Sequence, residues 1–171
     1  SSITGVQTMH AYYYIDNVKV VPVDAKSQCN CSRSSNTAPD LVYGGATLPN
    51  DLSGRDLVGR TAVYYAFVKR SFTEDGKSSL NRLAGVLKSN PNWTLEVMGH
   101  CDDDEVSEGK INPRFAEMGR KRADQVKRYL TSQGVSEGTI VVSGLENSDP
   151  ASTKDSDLAR AKNRRVTFRI K

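Results

Sequence analysis

Hydrophobic positions along this 171-residue chain fall into two regimes that meet near residue 60. Before that point they cluster once, over residues 11–23 (Ala-Tyr-Tyr-Tyr-Ile-Asp-Asn-Val-Lys-Val-Val-Pro-Val), a β-branched and aromatic run that reads as a strand. A lone strand has no independent stability, so this one either joins the sheet of the following domain or closes a preceding β-sandwich. Residues 24–60, rich in Ser, Asn, Asp, Gly and Pro, keep no period and read as a linker or long loop.

From Thr61 the periods become definite. Val63, Tyr65 and Phe67 alternate with Ala62, Tyr64 and Ala66, apolar on both faces, which predicts a buried strand in mid-sheet. Thr73 is placed to cap a helix whose stripe is Leu80, Leu83, Ala84 and Leu87, and Asn90-Pro91 stops it. Leu95 and Val97 alternate with Thr94 and Glu96 in a second strand that runs into Gly99-His100-Cys101-Asp102. A polar loop follows. Phe115, Met118, Arg122, Ala123, Val126 and Leu130 then recur at helical spacing over residues 113–132, with Gly134 suited to the C-terminal cap. Residues 140–142 make a third strand, 157–163 a short helix, and Val166, Phe168 and Ile170 a final strand. The order βαβαβ(α)β predicts an α/β fold, a two-layer sandwich with helices on one face of a mixed sheet over residues 61–171.

Composition agrees with a folded domain: 37% apolar residues and 13 glycines bring the broad apolar class to about 45%. The longest apolar run, residues 61–68, falls far short of the ~20 residues of a membrane-spanning helix. The opening Ser-Ser-Ile-Thr-Gly, with neither Met nor a charged segment before an apolar stretch, reads as a processed or truncated end. Residues 1–60 hold five basic and five acidic side chains, so the whole net charge of +4 lies beyond them. With 24 basic against 20 acidic residues, that excess is too balanced for a nucleic-acid binder.

The strand-end cluster His100, Cys101, Asp102, Asp103, Asp104 and Glu105 is the natural place to look for a metal or a catalytic acid, but its spacing argues against both. Zinc ligands are set apart in sequence, whereas neighbours on a strand point to opposite faces. The alternation and closing Glu of an EF-hand are missing, as are a Gly-x-Ser-x-Gly elbow and a Gly-rich phosphate loop. No cofactor is implied, and a metal-dependent hydrolase built on His100, Cys101 and Asp102 is the enzymatic rival. Of the three cysteines, Cys29 and Cys31 would close a strained ring if joined, and an odd thiol is left over. Arg122 stands out because it falls inside the apolar stripe, between Met118 and Val126. A guanidinium there needs an anion, and Asp102 is placed to pair with it or to share a ligand with it.

The run Leu95-Glu-Val-Met-Gly-His-Cys-Asp102, then Met118-Gly-Arg-Lys-Arg-Ala123-x-x-Val126-x-x-Tyr-Leu130, then Gly134 and Asn163-Arg-Arg-Val166, is similar to the OmpA-like peptidoglycan-binding domain. That family's forms are Gly-His-Thr-Asp, Leu-(Ser/Gly)-x-x-Arg-Ala and Asn-Arg-Arg-Val. The resemblance covers about residues 62–171 with every signature in order. It implies a non-catalytic module that grips the peptidoglycan stem peptide at meso-diaminopimelate, in the periplasm at the outer membrane of a Gram-negative bacterium. Asp102 takes the family's ammonium-binding aspartate position and Arg122 that of the carboxylate-binding arginine. Cys101, Asn112 and Arg165 are auxiliary candidates, with Arg165 weighted toward support and His100 toward a hydrogen-bonded structural role. Three departures are specific to this chain. Cys101 replaces the family threonine; Glu105 replaces the glycine three residues after the aspartate, in a loop longer by about five residues; and Phe115 replaces an asparagine, with Asn112 one turn early. A protein-interaction domain that has kept the fold and lost wall binding is the alternative.

Overall fold

The computed structural model describes residues 54–171, so the strand read over 11–23, the loop up to residue 53, and Cys29 and Cys31 lie outside the described residues. In chain order the elements are α1 (Gly54–Arg60), β1 (Ala62–Tyr64), α2 (Glu74–Ser89), β2 (Leu95–His100), α3 (Asp103–Ile111), a 3-10 turn (Pro113–Phe115), α4 (Met118–Ser132), a second 3-10 turn (Glu137–Thr139), β3 (Ile140–Glu146), α5 (Asp157–Asn163) and β4 (Arg165–Ile170). The sheet runs β1-β4-β2-β3, with β2 and β3 parallel and the other pairs antiparallel. A parallel pair cannot be joined by a tight turn, and α3 and α4 provide the crossover between β2 and β3. The result is the mixed-sheet α/β sandwich that the periods predict.

Register places Leu95 opposite Ile140 and Ile170, Val97 opposite Val142 and Phe168, and Val63 opposite Val166. Against them α2 sets Leu80, Leu83, Ala84 and Leu87, and α4 sets Ala123, Val126 and Leu130, in one continuous core. Local residues satisfy the free backbone groups at the start of α2 and at the end of α4. The Thr73 side chain accepts from the Gly76 amide at 3.1 Å to open α2. Gly134, at φ 90°, closes α4: its amide donates to Thr131 O and that of Val135 to Leu130 O, a paired closure that needs a left-handed residue.

Four sequence expectations are corrected. The first strand lies at the sheet edge, not in the middle, and spans only three residues. Its two-sided apolar pattern has another cause, because Tyr65 just beyond it is buried beside the Phe72 ring and under the Arg122 guanidinium rather than between strands. The loop read over 24–60 ends in α1, whose Leu57 and Val58 are buried; seven residues are too few to display a period. The helix read over 113–132 is divided by Ala116, extended, and Glu117, left-handed at φ 54°. The polar loop after Asp102 contains α3, for which the apolar pattern gives no stripe and the cap residues give the only signal.

The N-terminal turn of α4 lies unusually close to the sheet. A β-carbon on Gly99 would fall 1.9 Å from the Gly119 carbonyl oxygen, and one on Gly119 would fall 2.6 Å from the Gly99 carbonyl oxygen. On β3, a β-carbon on Gly144 would meet the Arg120 β-carbon at 2.8 Å. Contact between backbones, not side-chain packing, therefore sets the height of α4 above β2. Gly99→Ala should push α4 away and destabilise the domain by about 2–3 kcal/mol, as overpacking does, whereas Gly138→Ala, with open space around it, should leave the denaturation midpoint nearly unchanged.

Candidate functional site

The C-terminal end of β2 delivers His100, Cys101 and Asp102 to the start of α3. Asp102 is the helix N-cap, with Oδ1 accepting from the Glu105 amide at 2.8 Å. Asp102 through Glu105 fits the pattern of a cap residue followed three positions later by Glu, and three acidic residues fill the first turn, where the helix dipole favours them. In the usual box that Glu reaches back to the cap. Here Glu105 turns inward instead and closes on Arg122.

Arg122 is fully buried, carried inward by the apolar stripe of α4. Its Nη1 and Nη2 donate to Glu105 Oε2 and Oε1, each at 2.6 Å, in a two-pronged pair. Nε donates to Lys69 O at 2.9 Å, while Nη1 also reaches His100 O at 3.3 Å and Nη2 reaches Ala66 O at 3.2 Å. Those bonds match the five N–H groups a guanidinium has. The Tyr65 ring lies 4.9 Å from the guanidinium carbon. Glu105 Oε1 accepts in addition from the Val68 amide at 2.6 Å, holding that residue at φ 47°. The carboxylate on Arg122 is thus Glu105 and not Asp102, because α3 brings Glu105 directly over the fork.

Asp102, itself buried, gives its second oxygen to Arg164 Nη1, and Arg164 Nε donates to Tyr65 O at 3.3 Å. Sequence reasoning quoted Arg164 only as part of a motif; its position one residue before a strand was the available signal. Asn163 beside it exchanges two hydrogen bonds with the Ser152 backbone and pins the loop after β3. Glu146 was also missed. It stands at φ 48°, and its carboxylate accepts from the amides of Gly119 and Arg120 at 3.1 Å and from Cys101 Sγ at 2.8 Å. Glu117 offers no side-chain cap to α4, so Glu146 supplies one from a distant strand. Burial and the adjacent Glu146 carboxylate push the Cys101 thiol well above its ordinary range.

The other candidates have local duties. Asn112 ends α3 and accepts from the Arg114 amide at 3.1 Å to open the 3-10 turn. Arg165 donates to Asp149 O at 3.2 Å and faces Asp149 Oδ2 at 3.5 Å, and burial lowers its pKa. His100, fully buried, shares a 2.9 Å hydrogen bond between Nε2 and Thr167 Oγ1, with Asp149 Oδ2 3.8 Å from Nδ1. Desolvation first, then nearby Arg165, lower its pKa to about 4. Among the described residues no group of three or more His, Cys, Asp or Glu is placed to hold a metal ion, and no helix is long and apolar enough to cross a membrane. A cavity of about 300 Å³ opens where β2 ends, lined by Asp102, Asp103, Asp104, Lys154, Asp155 and Arg160 with Cys101, and Arg160 Nε lies 3.3 Å from Asp104 Oδ2.

The family model described as the OmpA family matches residues 64–164. The chain belongs to the OmpA family. Within that family it is 32% identical over 139 residues to the peptidoglycan-associated lipoprotein of Haemophilus influenzae, covering 81% of this chain and 86% of the relative. It is 28% identical over 140 residues to the lipoprotein of the same name from Pasteurella multocida, covering 82% and 86%. The crystal structure of the peptidoglycan-associated lipoprotein from Burkholderia pseudomallei superposes with a TM-score of 0.59 at 26% identity, covering 68% of this chain and 94% of that one. The C-terminal domain of Helicobacter pylori MotB, at 21% identity and a TM-score of 0.54 over 63% of this chain and 81% of that one, shares the OmpA-like fold.

Two outcomes follow for the OmpA-like site. Arg122→Met should cost about 3–5 kcal/mol by stranding Glu105 in the interior, and a double-mutant cycle with Glu105→Met should return a coupling of about 1–3 kcal/mol in chemical denaturation. For His100, the folded pKa near 4 lies below the ordinary 6.5, so the unfolded chain takes up the proton first. Its contribution to stability is full above pH 6.5 and is lost as pH falls toward 4, with a limiting slope of about 1.4 kcal/mol per pH unit. The His100 ring resonance should titrate near pH 4 by NMR, and His100→Gln should flatten stability over that window.

Proposed function

We propose that this OmpA-family domain binds peptidoglycan non-covalently and tethers an outer-membrane or envelope assembly to the wall of a Gram-negative bacterium, from the periplasm. It acts by binding and not by catalysis. Relatives named peptidoglycan-associated lipoproteins, matched over four-fifths of this chain, support the tethering role. The finer reading makes the stem peptide's meso-diaminopimelate the ligand, with Asp102 answering its ammonium and Arg122 its carboxylate.

The observation that carries this reading is the mixed charge of the cavity at the end of β2. Asp102 lies in its wall with the exposed Asp103 and Asp104, and Lys154 and Arg160 line it too, Arg160 being paired with Asp104 at 3.3 Å and with Asp155 at 2.5 Å. A zwitterion needs one fixed charge of each sign within a few ångströms, and a site of this kind supplies both. Arg122 lies one layer deeper, closed on Glu105. Cys101 shares the cavity wall, whereas Asn112 and Arg165 act through support of α3 and of the loop holding Asp149.

Sedimentation with purified insoluble peptidoglycan tests the proposal. Wild type should pellet with the wall, and Asp102→Ala should weaken binding by roughly ten- to a hundredfold, the worth of one charge-assisted hydrogen bond. Because Asp102 is also a helix cap, the exposed substitutions Asp103→Asn and Lys154→Gln, which leave the fold intact, should each weaken binding as well. Peptidoglycan carrying lysine in place of diaminopimelate, and therefore lacking the side-chain carboxylate, should bind less. A wild-type protein that stays in the supernatant would sink the reading.

A further inference from the structure

Among the described residues Arg122 is the fully buried cation whose geometry matches a carboxylate at two points, and the protein itself supplies that carboxylate. Both Glu105 oxygens lie 2.6 Å from the fork, Glu105 is 1% exposed, and the remaining N–H groups are spent on the carbonyls of Ala66, Lys69 and His100. An external carboxylate therefore finds no open donor on Arg122. Glu105 nevertheless comes from the first turn of α3, a nine-residue helix with no apolar stripe of its own and with Glu105 as its buried residue. A cavity of about 170 Å³ adjoins Glu105 between α3 and the 3-10 turn, lined also by Val106, Lys110, Phe115, Glu117 and Glu146. Two partners hold the side chain, the Arg122 fork and the Val68 amide, and the smaller cavity borders it.

We propose that Glu105 is an internal stand-in for the ligand carboxylate, occupying the Arg122 fork so that a wall-derived carboxylate engages Arg122 only by displacing it. The inference rests on the reading of Asp102 and Arg122 given above and adds its regulation. It makes wall binding a competition between a tethered carboxylate and a free one, with an observed affinity equal to the intrinsic affinity scaled by the fraction of molecules whose fork is open. Removing the competitor raises that fraction. The same removal leaves a buried guanidinium unpaired, so the variant is less stable until an external carboxylate arrives.

The test compares wild type, Glu105→Gly and Glu105→Gln, with acetate and meso-diaminopimelate as soluble probes and insoluble peptidoglycan as the wall. Both variants should melt below wild type. Acetate or diaminopimelate at millimolar concentration should raise the melting temperature of Glu105→Gly by more than that of wild type, and adding Arg122→Met to Glu105→Gly should abolish that rescue. Peptidoglycan affinity should rise at least about tenfold in Glu105→Gly. Glu105→Gln fills the same volume without the charge, so it should bind the wall more tightly than wild type even if the glycine variant folds poorly. Wall binding by wild type that neither variant strengthens would overturn the competition while leaving the wall-binding reading in place. Carboxylate rescue of Glu105→Gly with no wall binding by any of the three proteins would overturn the wall-binding reading, and the competition with it.

Discussion

A guanidinium sealed from water must have every N–H group answered, and in this domain that requirement organises the end of the sheet. Arg122 gathers the carbonyls of residues 66, 69 and 100 and the Glu105 carboxylate around a single plane. Those four partners belong to the segment after β1, the last residue of β2 and the first turn of α3, which Arg122 ties together. Burial makes the arrangement demanding, since an unanswered donor there costs about as much as a whole hydrogen bond contributes. The loop between β1 and α2 is shaped by this need, including the left-handed Val68, whose amide is held by the same Glu105.

Around that centre each carboxylate is assigned to one cationic or amide partner set. Asp102 caps α3 and takes Arg164, Glu105 takes Arg122, and Glu146 caps α4 and receives the Cys101 thiol. The pairing is not interchangeable, because each acid is delivered by a different element: the residue after β2 that caps α3, the first turn of α3 and the end of β3. Glycines at 99, 119 and 144 let α4 descend far enough for its N-terminal amides to meet Glu146. Backbone clearance and charge pairing are thus two parts of one constraint.

Much of this was legible in the residues. The stripes Leu80-Leu83-Ala84-Leu87 and Ala123-Val126-Leu130 declare two core helices, and the alternations at Leu95-Val97 and Val166-Phe168 declare two strands, because a period is a property of the chain itself. Arg122 within an apolar stripe announced that an anion waits inside. The identity of that anion could not be read. Asp102 and Glu105 lie three residues apart, and only the start of a helix between them sends one to Arg164 and the other to Arg122. That helix lacks an apolar stripe, so periodicity was silent, although Asp102 followed by Glu105 carried its cap signature. The edge position of β1 was hidden for a related reason: burial by a side chain such as Tyr65 looks, in sequence, the same as burial by a neighbouring strand.

The order of strands also has a consequence in time. β4 is the last of the four along the chain, yet it lies between β1 and β2 and is the strand that joins them. Until residues 165–170 are in place, β1 has no strand among the described residues to pair with and β2 has only β3. The helical segments and the β2–β3 pair can form first, but closure of the sheet awaits a contact spanning about a hundred residues, the kind of long-range event that slows folding. An incomplete chain would therefore expose one long edge of β2 with Leu95 and Val97 half covered, and the final six-residue strand is what turns that edge into the centre of the sheet.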